Sequence, residues 1–142
     1  MSPRSHQTID KHFASLTDPR RGNARQHELL DILVISICAT IGGADGWTEV
    51  EQWGQANEAW LRTFLKLPHG IPSHDTFGRV FARLDPQAFR RCFLSWVGAI
   101  STLTHRPVVS IDGKKVRRSH DRSHQHEAIH IVSVWAAENH LV

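Results

Sequence analysis

The chain has 142 residues, 40% of them hydrophobic, enough for one ordinary domain or for a small domain plus part of another. Its formal charge of +3 and pI near 9.3 permit a polyanionic partner without demonstrating one. The N-terminus lacks the apolar run of a secretory signal, the longest apolar stretch (32–41) is too short to span a bilayer, and Cys38 and Cys92 sit in apolar segments without zinc-type spacing, so a reducing, cytoplasmic setting with no membrane partner is expected.

Residues 1–26 read as an N-terminal arm ending in the turn-like, basic run Asp18-Pro19-Arg20-Arg21-Gly22-Asn23. From about His27 to Ile41 the spacing of Leu29, Leu30, Leu33, Val34, Ile37, Cys38 and Ile41 predicts a core helix with one broad apolar stripe, ended by Gly42-Gly43. Thr48 and Glu51 fit a capping box at the start of a second helix, which Gly54 to Asn57 interrupts. A third helix is expected from Glu58 to Leu67, carrying Trp60, Leu61, Phe64 and Leu65, with Pro68 as its stop. The segment Gly70 to Asp75 is a turn with capping residues, and Phe77, Val80, Phe81 and Leu84 follow on one helical face. Asp85 as N-cap and Pro86 at the first position open a last helix with Phe89, Phe93, Trp96 and Ile100 as its buried stripe. Residues 27–105 therefore form a bundle of four or five helices.

Beyond Arg106-Pro107 the texture changes. The β-branched runs 108–111 and 129–135 read as strands, Leu141-Val142 as the opening of a third, and a basic, His-rich loop runs from Lys114 to His126. The expected fold class is mainly α: a helical bundle followed by the first two or three strands of a truncated α/β domain over 106–142. With sheet partners missing, these strands are expected to be less stable than the bundle.

Asp112 closes the first strand and precedes Gly113, an arrangement that is either an ordinary turn or a carboxylate presented to a divalent cation. Lys114, Lys115, Arg117 and Arg118 follow it; such cations suit a nucleic-acid backbone, and equally a solvated loop. His120, His124, His126 and His130 lack compelling metal spacing and read as surface histidines. The helices around 71–100 have the order of a helix-turn-helix, with Ser73, His74 and Thr76 able to meet phosphates. Yet Arg79, Arg83, Arg90 and Arg91 are also what a solvated amphipathic face shows, and this structural reading is favoured.

The runs DPRRGNARQHELLDILVISICATIGGADGWTEVEQWG, LPHGIPSHDTFGRVFARLDPQAF, SIDGKKVRRSHDR and AIHIVSVWAAE occur in the order found in the ISAs1-type transposases, which include the H-repeat-associated proteins, and the chain resembles that family from about Phe13 to its last residue. The resemblance implies a helical associated domain preceding a DDE transposase domain of RNase H-like fold, acting on DNA by metal-dependent phosphoryl transfer. It implies that Asp112, in a DGK-x-x-R motif, is the first of three acids holding two Mg²⁺ or Mn²⁺ ions, and that Lys114 and Arg117 contact DNA; Lys115 departs from the family, where Thr is commoner, and with Arg118 is a DNA-binding candidate from the basic run alone. The second Asp and the Glu would lie beyond residue 142, so this chain alone is expected to be catalytically inactive and to bind no metal stably. DNA and a second copy are the expected partners. Another reading is a helical protein-interaction module with no nucleic-acid role; a third is complementation by a separate reading frame that supplies the missing acids.

Overall fold

The computed structural model describes residues 9, 11–20, 26–99 and 132, and the backbone alone of 100–104. Its architecture is helical, and among the described residues there is no strand. The expected strands at 108–111 and 129–135 lie outside the described residues except for Val132, which is helical and fully buried rather than extended.

Helix α1 (Leu29–Ile41) is the centre of the molecule. Instead of one apolar stripe it is covered nearly all round: Ile32 through Ile37 are all buried, and Leu29, Leu30, Cys38 and Ile41 pack partly buried at its margins. Two hydroxyls inside this apolar shell are satisfied within the helix, Ser36 Oγ donating to the Ile32 carbonyl (2.8 Å) and Thr40 Oγ1 to that of Ser36 (2.7 Å). The helix ends as its glycines dictate. Gly43 takes φ +101°, and the N–H groups of Ala44 and Gly43 reach back to the carbonyls of Ala39 (2.9 Å) and Thr40 (3.0 Å), the paired bonds of a Schellman stop.

Helix α2 (Trp47–Ala56) packs on α1, and Gly54 is where they approach: a Cβ there would stand 2.9 Å from Ile71 Cγ2 and 3.4 Å from Ile35 Cγ2. The expected Thr48–Glu51 capping box does not form. Gly46 is the N-cap, and Glu49 at the third helical position accepts from Asp45 N at 2.7 Å, leaving Glu51 for another helix.

Helix α3 (Glu58–Leu61) is shorter than the expected Glu58–Leu67. The chain turns through Phe64, and Leu67 adopts φ +46°, a left-handed geometry that no helix continues. Helices α4 (His74–Arg83) and α5 (Pro86–Thr104) complete the bundle. Asp85 caps α5 through Oδ1, accepting from Gln87 N at 3.0 Å, as expected.

The core between α2, α4 and α5 is aromatic. Trp47 stacks on Phe81 (4.9 Å), Phe81 meets Phe89 edge-on (5.9 Å), Phe89 stacks on Phe93 (6.1 Å), and Phe93 leads to Trp96 (6.2 Å). Residues ahead of α1 join this core: Ile9, Phe13 and Leu16 are buried, Phe13 lies 5.8 Å from Phe89, and His12 Nδ1 is 2.7 Å from Ser95 Oγ.

Candidate nucleic-acid interface

The surface that could meet a polyanion is carried by α4, α5 and the two-residue link between them. Burial of Phe77, Val80 and Phe81 fixes the roll of α4 and turns Arg79 and Arg83 to solvent. On α5, burial of Phe89, Cys92 and Phe93 leaves Arg91 exposed and Arg90 half-buried. Arg83 closes α4, Leu84 and Asp85 make the link, and Arg90 and Arg91 follow in the second turn of α5; the Phe81–Phe89 contact beneath holds this corner rigid.

What distinguishes these arginines is that none has an acidic partner among the described residues. Elsewhere Arg20 grips Asp18 with two nitrogens (2.8 and 3.0 Å), Arg62 pairs with Glu58 (2.8 Å) and Lys66 with Glu28 (3.5 Å). Among the described residues the side chains of Arg83, Arg90 and Arg91 have no such bond, and Arg79 reaches only the Asp75 backbone carbonyl at 3.3 Å. Planar guanidinium groups left in this state suit phosphate oxygens, which they bind in a forked geometry.

The residues at the start of α4 that were able to meet phosphates, Ser73, His74 and Thr76, are otherwise engaged. Ser73 Oγ accepts from Thr76 N (3.3 Å) as the N-cap. His74 donates its backbone N–H to Glu51 Oε1 (2.6 Å), with Nδ1 2.9 Å from the same oxygen. The His74 side chain, its backbone N–H and its charge together hold the Glu51 carboxyl below its ordinary value of 4.5. Glu51 therefore docks α2 onto the N-terminus of α4, a role its local sequence does not reveal.

Behind α1 sits a second polar group. Arg20, largely buried, donates through Nη1 to the His27 carbonyl, and the His27 ring meets His69 edge-on at 6.2 Å. Burial, then the charges of His69 and Arg20, lower the pKa of His27 from 6.5. Both cysteines are free thiols, as expected, and burial pushes Cys38 up to about 11, which makes it unreactive. Among the described residues no group of three His, Cys, Asp or Glu could hold a metal ion, and no helix is long and apolar enough to cross a membrane. Asp112, Lys114, Lys115, Arg117, Arg118 and the four histidines after them lie outside the described residues.

Comparison with known proteins places this geometry. The family model described as DDE_Tnp_1-associated matches residues 11–97, the span from the N-terminal segment to the buried part of α5. "Uncharacterized protein in dhlA 3'region" of Xanthobacter autotrophicus is 42% identical over 92% of this chain and 44% of its own length. The "H repeat-associated putative transposase YhhI" of Escherichia coli K12 is 36% identical over 93% of this chain and 35% of its own. "Inactive transposase YbfQ" from the same strain is 37% identical over 51% of this chain and 87% of its own. The chain thus spans between a third and a half of the length of the first two. No solved structure matches significantly. Because the family model covers more than half of the residues, and relatives including H repeat-associated proteins align with over nine-tenths of them, the chain belongs to the DDE_Tnp_1-associated family.

Proposed function

We propose that the helical bundle is a DNA-backbone-binding module of a DDE-type transposase, and that the α4–α5 corner is its contact surface. The observation that carries this reading is the set Arg83, Arg90 and Arg91, without acidic partners among the described residues and mounted on a rigid aromatic core. The contact is sequence-independent, because guanidinium groups directed at phosphates position a duplex without reading its bases.

Asp112 serves as the first metal-binding acid of the transposase reaction, and Lys114, Lys115, Arg117 and Arg118 hold the DNA beside it. A carboxylate is the right donor for Mg²⁺ or Mn²⁺, and such ions would polarise the phosphoryl oxygens and activate the attacking hydroxyl. One carboxylate cannot assemble a two-metal site, so Asp112 acts together with further acids. A domain of RNase H-like fold after residue 105, acting at transposon ends in a reducing cytoplasm, belongs to the same reading.

The test is fluorescence anisotropy of a labelled duplex titrated with the full chain across a series of salt concentrations. Binding whose affinity falls steeply with salt supports the reading; no binding at low salt leaves a helical protein-interaction module in its place.

A further inference from the structure

The segment ahead of α1 crosses α5 at the stretch that carries Arg90 and Arg91. Phe13 lies 5.8 Å from Phe89, Ser15 Oγ is 3.8 Å from Cys92 Sγ, and His12 Nδ1 is 2.7 Å from Ser95 Oγ. Ser95 follows Arg91 by four residues, so the two share one exposed edge of the helix, roughly 6 Å apart along its axis. The His12–Ser95 bond therefore pins the segment beside Arg91, across 83 residues of sequence. Only the fold brings these residues together.

What the segment brings there is positive charge. Lys11 is exposed next to His12, and among the described residues no carboxylate is bonded to it. Asp18, further along the same segment, is held by Arg20 at 2.8 Å. The sequence of α5 contains no acid at all, and residues 1–25 carry five Lys or Arg against two Asp. Cations gathered from two distant parts of the chain oppose one another until a polyanion lies across them.

We infer that Lys11 belongs to the same DNA-backbone contact as Arg91, so that the docked N-terminal segment is a second wall of the site as well as a cover for the core. The inference rests on the DNA-binding reading of the α4–α5 corner and extends it along the exposed edge of α5. Lys11 meets phosphate as a point charge beside the forked guanidinium of Arg91, and neither reads bases.

Anisotropy titrations of a labelled duplex with full-chain variants over a salt series test it. Lys11→Gln removes one charge from an exposed side chain, and the slope of log affinity against log salt is expected to shrink by roughly one, equally for unrelated duplex sequences. Lys11→Arg is expected to keep the wild-type slope. Lys66→Gln, which removes a lysine paired with Glu28 instead, is expected to leave it unchanged. If Lys11→Gln keeps the wild-type slope while Arg83→Ala with Arg91→Ala shortens it, the DNA reading stands and this extension falls. A slope that Lys66→Gln shortens as much as Lys11→Gln also overturns the extension, because net charge alone would then account for the loss. A wild type that binds no duplex at low salt overturns both.

Discussion

The carboxylate of Asp31 accepts a hydrogen bond from the backbone N–H of Leu67 at 3.2 Å, across 36 residues of sequence, and Leu67 is, among the described residues, the non-glycine residue with a left-handed backbone. Both are buried: Asp31 is 2% exposed, and the Leu67 side chain fully enclosed. The left-handed turn costs about 1–2 kcal/mol for a residue bearing a Cβ. The Asp31 bond and the buried leucine side chain hold the chain there against that cost.

Asp31→Ala strands the Leu67 N–H in the interior and is expected to lower stability by about 1–3 kcal/mol, read as a shift of the urea midpoint at constant slope. Asp31→Asn keeps an acceptor oxygen and should recover part of the loss. Equal midpoints for wild type and the alanine variant would show that the clamp does not contribute.

The Glu51–His74 bond makes stability pH-dependent with a definite sign. The folded state holds the Glu51 carboxyl below 4.5, so the stabilisation is complete above that value and is lost as pH falls through the lower, folded-state pKa. Thermal melts of wild type and Glu51→Gln should differ near neutrality and converge in acid; a constant offset at every pH would contradict the assignment.

His27 acts in the same direction at higher pH. Its folded pKa lies below 6.5 because burial, His69 and Arg20 oppose protonation, so the unfolded chain takes up the proton first. Stability from this group is full above 6.5 and declines just below it. Replacing His27 with Gln should flatten the melting temperature in that window, whatever it does to the absolute value.

Two helical glycines should respond oppositely to alanine. At Gly98 a Cβ meets nothing within 4 Å among the described residues, so Gly98→Ala is expected to stabilise α5 by about 1 kcal/mol through backbone entropy. At Gly54 the new methyl meets Ile71 at 2.9 Å, and the overpacking should cost about 1–3 kcal/mol. Chemical denaturation of the pair checks both signs at once.

For the cationic corner, Arg83→Ala combined with Arg91→Ala should weaken duplex binding to a similar degree whatever the DNA sequence. If each guanidinium neutralises one phosphate, the slope of log affinity against log salt should shrink by roughly two. An unchanged slope would place the contact elsewhere.

Much of the bundle was legible because its signals are local. The Gly42-Gly43 stop, Ser73 and Asp85 as caps, and the apolar faces of α4 and α5 all follow from spacing within a few residues. The departures come from residues whose partners are distant. Glu51 looked like a cap for its own helix and caps another; Leu67 looked helical and is a turn held by the buried Asp31 carboxylate. The arginines of α4 and α5 could not be told from a solvated face, because whether an acid stands opposite depends on tertiary placement. The acid and the basic loop singled out around Asp112 rest on motif and resemblance alone.

The pairing of residues 9–16 with α5 has a consequence for synthesis. His12 and Ser95 are bonded across 83 residues, and Phe13 rests on Phe89, so the partners of the first segment are made long after it. On the ribosome Ile9, Phe13 and Leu16 emerge early and wait as uncovered apolar surface until α5 follows. Closure of this bundle is thus a late, non-local step, and a pause within residues 86–97 would hold the nascent chain in its most adhesive state.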